Sequence, residues 1–178
     1  IKGDIECLGM RHDSLQGDKE IVDILKRMGA DITEIKEGYK IVQSNLVSTE
    51  IDLANCPDLG PILTVLSMYA KGETHITNAS RLRLKESDRI ASMEEELAKF
   101  GVKLSSTENE LFIQGSKDFI CNTELSGHKD HRIAMSLAIA SACSNSTTLL
   151  TGAECVNKSY PGFFKDCQKA KITLKIEE

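Results

Sequence analysis

The chain has 178 residues, with 22 Lys plus Arg against 27 Asp plus Glu and a formal net charge of −5. Its 40% hydrophobic content describes a globular protein able to bury roughly 70% of its unfolded surface without disulfide staples. The acidic balance, 4% aromatic content and absence of Trp exclude a basic or base-stacking nucleic-acid binder.

The two longest apolar runs, residues 62–70 and 133–143, are too short to span a bilayer. The opening Ile-Lys-Gly-Asp-Ile lacks the apolar run of a signal peptide. Six cysteines are spread along the chain with no Cys-x-x-Cys pair. That pattern reads as reduced thiols in a cytoplasmic protein and gives no zinc site. The chain starts on Ile, in mid-pattern, so it reads as part of a longer protein.

Taken in order, the elements repeat. Residues 18–29 carry a helical stripe of Ile21, Leu25 and Met28 that ends at Gly29. Strand-like runs follow at 30–35 and 40–43, then at 50–53. Asp58 opens a helix over 58–71, and a strand covers 73–78. Residues 90–101 repeat the first stripe with Met93, Leu97, Phe100 and Gly101, at a fixed offset of 72 positions. Strands follow at 102–105, 110–114 and 119–123. A helix over 130–144 repeats the one at 58–71, again beginning with an Asp suited to an N-cap, and a strand follows at 147–152. Lys158-Ser159-Tyr160-Pro161 opens the last helix, with Pro161 at its first turn.

The unit is strand, helix, strand, helix, strand, strand. The sequence divides into a partial unit at 1–48, a complete one at 49–118 and a partial one at 119–178, within a single incomplete domain. Alternating elements give an α/β chain. The helices at 58–71 and 130–144 are apolar around most of their girth, so they belong inside, covered by sheets.

The chemistry gathers where helices begin. Arg81-Leu82-Arg83-Leu84-Lys85-Glu86-Ser87-Asp88-Arg89 holds four cations and two carboxylates in nine residues. His128-Lys129-Asp130-His131-Arg132 and Lys158 stand before other helices. Cations oppose the dipole at a helix N-terminus, and a bound anion resolves the conflict. A solvated charged turn with local Glu86–Arg89 pairing is the plainer reading of the first segment. Repeated units point their helix starts the same way, so the cations crowd one face with Asp58, Glu86 and Asp130 among them. Such a face suits a multiply anionic small molecule, with carboxylates placed for proton transfer. No nucleotide-binding Gly loop is present. His128 and His131 lack a third ligand in the sequence pattern, which argues against a metal site.

Four segments together resemble the 5-enolpyruvylshikimate-3-phosphate synthase family: Asp13-Ser14-Leu15-Gln16-Gly17-Asp18, Leu84-Lys85-Glu86-Ser87-Asp88-Arg89, Asp130-His131-Arg132-Ile133-Ala134-Met135 and Lys158-Ser159-Tyr160-Pro161-Gly162-Phe163-Phe164. The resemblance runs over essentially the whole chain and implies the C-terminal part of such an enzyme. It implies the enolpyruvyl transferase-type fold of repeated βαβαββ units, with buried parallel helices and four-stranded sheets outside. It also implies transfer of the enolpyruvyl group of phosphoenolpyruvate to the 5-hydroxyl of shikimate 3-phosphate, by addition and elimination, with no cofactor or metal. Asp58 is then expected to take the hydroxyl proton and bind the shikimate ring, and Lys85 to bind the shikimate 3-phosphate. Glu86 is expected to exchange a proton with the methylene, and His131 to orient or donate. Arg89, Arg132 and Lys158 are expected to hold phosphoenolpyruvate. Arg81 stands where some members carry a substrate-binding Asn. The expected partner is the N-terminal domain of the same enzyme, without which the chain is expected to be inactive. The UDP-N-acetylglucosamine enolpyruvyl transferases and a non-catalytic anion-binding domain are the alternatives.

Overall fold

The computed structural model describes residues 3–116 and 118–177. Residues 1, 2, 117 and 178, which the unit boundaries above include, lie outside the described residues. Strand β1 is Asp4–Leu8, helix α1 Ile21–Arg27, and β2 and β3 are Asp31–Ile35 and Gly38–Val42. They form a three-stranded sheet in the order β1-β3-β2. Next come β4 (Glu50–Asp52), α2 (Gly60–Met68), β5 (Glu73–Thr77), α3 (Arg89–Ala98), β6 (Lys103–Ser106) and β7 (Leu111–Gln114). Their sheet runs β4-β5-β7-β6, with β4 and β5 parallel and the rest antiparallel. Finally β8 (Leu125–Ser126), α4 (His131–Cys143), β9 (Leu150–Thr151) and α5 (Phe163–Lys169) close the chain, with β8 parallel to β9.

The pairing pattern recurs. β1 pairs antiparallel with β3, and β3 with β2, as β5 does with β7 and β7 with β6. Likewise β8–β9 repeats the parallel β4–β5 pair. The architecture is mixed helix and strand with open sheets. Only one sheet among the described residues has four strands; the others have three and two.

Three expectations need correction. Residues 119–123 are not a strand. Phe119 and Cys121 are buried there, and the ladder forms instead at Leu125–Ser126. Burial makes such a run look like a strand, but only β8 lies opposite β9. A strand also forms at Asp4–Leu8, outside the elements expected from the sequence; it is short and mostly exposed, and its place is set by pairing with β3. The last helix starts at Phe163, two residues after Pro161, because residues 153–158 first form a 3-10 turn.

The helices follow their patterns. α2 buries seven of its nine residues. Its hydroxyls bond backward, Thr64 to the Gly60 carbonyl at 2.9 Å and Ser67 to the Leu63 carbonyl at 2.7 Å, so neither is left unpaired in the core. α3 turns Ile90, Met93 and Leu97 inward. It ends at Gly101, whose φ of 78° lets the Val102 amide return to the Leu97 carbonyl. One core joins Leu63 and Met68 of α2, Ile133 and Leu137 of α4, and the inner faces of β4, β5 and β7 through Ile51, Ile76, Leu111 and Ile113. Tyr69 ties the two apolar helices by donating to the Ala140 carbonyl at 3.1 Å.

Leu63 is fully buried in this core. Leu63→Ala is expected to lower unfolding free energy by about 2–5 kcal/mol. Leu84→Ala, at a side chain that is 86% exposed, is expected to change it by less than about 0.5 kcal/mol. Urea midpoints of the two variants test this assignment of the core, and equal effects would contradict it.

Candidate active site

Four connections meet at one edge of the core: the 3-10 turn Pro57–Leu59 before α2, the 3-10 segment Ser80–Leu84 before α3, the turn before α4, and the 3-10 segment Ala153–Lys158 after β9. Side chains from all four lie in one charged network or at its margin.

Arg89 is its centre. The first residue of α3, it is 1% exposed, and its guanidinium is shared among three carboxylates. Nε donates to Asp130 Oδ2 at 2.8 Å, Nη1 to Asp58 Oδ1 at 3.0 Å, and Nη2 to Glu86 Oε2 at 2.8 Å. Burial works against its charge, but these partners, Asp130 foremost, hold it protonated. Asp130 is itself fully buried. It caps α4 by accepting the Arg132 amide at 2.9 Å, and it accepts the Ser87 hydroxyl at 3.2 Å. Burial raises its carboxyl pKa, but Arg89 and the cap bonds outweigh that and leave it below the usual range.

Three more cations surround this centre and are partly exposed. Lys85 Nζ lies 3.1 Å from Asp58 Oδ1. Arg132 donates to Asp58 twice, to its backbone oxygen at 3.0 Å and to Oδ2 at 3.1 Å. Lys158 donates to Glu86 Oε1 at 2.9 Å. Desolvation opposes the charge on Asp58, yet Lys85, Arg132 and Arg89 bring its carboxyl below the ordinary range. Lys158 does the same for Glu86. Four cations stand against three carboxylates, one positive charge in excess.

Of the residues singled out in the sequence, Asp58, Lys85, Glu86, Arg89, Arg132 and Lys158 are brought together. One expectation about them changes. Asp58 does not cap α2; its carboxylate faces the cations, whereas Asp130 both caps α4 and binds Arg89. His131 is buried beside the network, but its Nδ1 has no hydrogen-bond partner among the described residues. Arg81 is exposed and, among the described residues, reaches only the Ala54 carbonyl, at 3.4 Å. Arg83 turns away to Asp88 and the Thr107 carbonyl. His128 does not approach His131 as a ligand pair; it bonds to Glu96 at 2.9 Å. In the Asp13–Asp18 segment, Gly17 packs on the turn before α2. A Cβ there would stand 2.0 Å from the Asn55 carbonyl oxygen. Burial pushes the Cys56 thiol up to about 11, so this residue, two before Asp58, is no thiolate nucleophile.

Ser87 and the carboxylate role of Asp130 toward Arg89 were not visible in the sequence. The signal was present in part, since Ser87 lies inside a segment dense with charge, but the partner is 43 positions away.

Cations crowded around carboxylates at helix starts, on repeated sheet-and-helix units, belong here to an enolpyruvyl transferase-type fold. The enolpyruvyl transferase NikO from Streptomyces tendae matches 97% of the chain with a TM-score of 0.77 at 20% identity, which shows the fold alone. EPSP synthase from Acinetobacter baumannii matches 98% of the chain and 43% of its own, with a TM-score of 0.85 at 30% identity. Two curated relatives are named 3-phosphoshikimate 1-carboxyvinyltransferase. That of Clostridioides difficile strain 630 is 47% identical over 93% of this chain and 38% of its own length. That of Clostridium perfringens strain 13 is 46% identical over 99% and 42%. The description EPSP synthase (3-phosphoshikimate 1-carboxyvinyltransferase) matches residues 1–167, and the chain belongs to that family. It spans about two fifths of the length of the curated relatives it matches.

Replacing Arg89 by Met strands the buried Asp130 charge and is expected to cost about 3–5 kcal/mol of stability, read from urea unfolding. Acid should act through the same pair. The folded Asp130 carboxyl titrates below its unfolded value of about 3.9. Below that value the unfolded chain binds more protons, so stability is complete above about pH 4 and falls as pH drops. Asp130→Asn is expected to flatten this acid limb, and an unchanged limb would count against the pairing.

Proposed function

We propose that this chain forms one wall of the site at which the enolpyruvyl group of phosphoenolpyruvate is transferred to the 5-hydroxyl of shikimate 3-phosphate, with release of phosphate. The observation that carries this reading is the three partly exposed cations Lys85, Arg132 and Lys158, each resting on a carboxylate around the saturated Arg89. Family membership supplies the reaction.

In this reading the 5-hydroxyl oxygen attacks C2 of phosphoenolpyruvate while its proton passes to Asp58. Glu86, relieved of Lys158 and protonated from solvent, gives its proton to C3 to complete a tetrahedral adduct. The adduct then returns a C3 proton to Glu86 as the bond from C2 to the phosphate oxygen breaks, and the departing phosphate takes the proton held by Asp58. Asp58 and Glu86 are weak bases while cations rest on them. Anionic substrates compete for those same cations. Lys85 turning to the shikimate 3-phosphate, and Arg132 and Lys158 to phosphoenolpyruvate, would leave both carboxylates more basic when protons must move. Arg89 keeps its carboxylates and acts by fixing the edge of the phosphoenolpyruvate site. His131 lies next to Arg132 in the chain and is given the role of orienting or donating to substrate. Arg81 is given only a peripheral contact to shikimate 3-phosphate. The partner is the remaining part of the family's longer enzyme, which supplies the facing wall, and the setting is the cytoplasm. All six cysteines are free, which suits that setting, and among the described residues no helix is long and apolar enough to cross a membrane.

One wall cannot exclude water or position two substrates. Phosphate release from shikimate 3-phosphate and phosphoenolpyruvate is therefore expected when the chain is mixed with the remaining part of a family enzyme, and negligible from the chain alone. Release by the chain alone would overturn the one-wall reading. In the assembled enzyme, Glu86→Gln is expected to lower turnover by about 10²–10⁴-fold while phosphoenolpyruvate binding persists. Unchanged turnover would remove Glu86 from proton transfer.

A further inference from the structure

A second buried polar cluster lies two helical turns from Arg89 and has no part in the site described. Glu96 of α3 is completely buried, yet it is a carboxylate. Lys99 Nζ donates to both its oxygens at 2.9 Å and continues to the Glu124 carbonyl at 3.1 Å. The Ser126 amide donates to Oε2 at 3.0 Å, and His128 Nε2 meets Oε1 at 2.9 Å. Glu95 approaches the same imidazole at 3.9 Å. Lys99 already occupies both oxygens of Glu96, so the cluster is neutralised within the protein rather than presented to a cation.

The segment it grips is strained. His128 and Lys129 both adopt left-handed backbone, with φ of 49° and 56°. Non-glycine residues hold that conformation only where their surroundings enforce it. The next residues are Asp130, His131 and Arg132. Arg89 and Glu96 are seven positions apart, so both lie on one face of α3. Arg89 holds Asp130, and Glu96 holds Ser126 and His128. α3 thus grips the start of α4 at two points, on either side of the left-handed pair. A further hold comes from outside α3, through the short parallel β8–β9 pair, where the Gly127 amide reaches the Thr151 carbonyl at 2.9 Å.

We infer that Glu96, with His128 and Lys99, is a positioning residue for the site: it fixes the left-handed turn that aims Asp130 at Arg89 and sets Arg132 against Asp58. The part concerning substrate rests on the function proposed above; the part concerning Arg89 and Asp130 does not.

The test uses Glu96→Ala, Glu96→Gln and the milder His128→Asn, since Asn tolerates left-handed backbone while losing the ring bond. In the chain itself, the NMR resonance of the Arg89 Nε–H reports its bond to Asp130, and the methyl signals of Ile76 and Ile113 report the folded core. The Arg89 signal is expected to shift and broaden in Glu96→Ala with the core methyls unmoved. Glu96→Gln, which still accepts the Ser126 amide, should restore it in part. In the assembled enzyme, Glu96→Ala is expected to raise KM for phosphoenolpyruvate about tenfold, with a smaller change in kcat. An unmoved Arg89 signal in folded Glu96→Ala overturns the inference, as does a uniform loss of kcat with no change in KM. If Glu96→Ala does not fold, His128→Asn decides by the same two readouts. If the Arg89 signal moves but the unaltered assembled enzyme releases no phosphate, the positioning holds and the proposed reaction falls.

Discussion

A guanidinium buried at the start of a helix must be surrounded by carboxylates, and that requirement organises this protein. Arg89 is 1% exposed and opens α3. Leaving it uncompensated in the interior would cost far more than one hydrogen bond returns. The chain meets the demand with Asp58, Glu86 and Asp130, drawn from three connections distant in sequence. One ion therefore fixes how three turns sit together.

The same arrangement divides the cations into two kinds. Arg89 is fully committed to protein, whereas Lys85, Arg132 and Lys158 are partly exposed and share carboxylates that already serve Arg89. With one positive charge in excess at the edge, the site is electrostatically prepared for an anion. An arriving anion would alter the basicity of Asp58 and Glu86 by taking their partners. In the reaction proposed above, binding and proton transfer would be linked by charge.

Packing supplies the rigidity this chemistry needs. α2 and α4 are held among other elements, with the α2 hydroxyls turned back on that helix's own carbonyls and Tyr69 joining the two helices. Because each helix is fixed along its length, the turn before it is fixed as well. Hydrophobic burial sets the positions of the turns, and hydrogen bonds among the turns set the directions of the side chains.

The stripe of Ile21, Leu25 and Met28, its copy at Met93, Leu97 and Phe100, and the apolar helices were legible in the sequence because periodicity is a local property. So was the accumulation of cations at helix starts, since Lys85, Arg89, Arg132 and Lys158 stand beside clear caps, turns or Pro. Strand ladders were less legible. Residues 119–123 look extended because Phe119 and Cys121 are buried, yet pairing depends on which backbone lies opposite. Pairings between distant residues were not legible at all: Arg89 to Asp130 spans 41 positions, and Ser126 to Glu96 spans 30. By itself the sequence determined the apolar helix stripes, their offset of 72 positions, the kind of charge at each helix start and the local Glu86–Arg89 pair, because these follow from neighbouring residues. Only the tertiary structure decided which carboxylate of a distant turn meets which cation, because that depends on how separate turns are brought together around a buried ion.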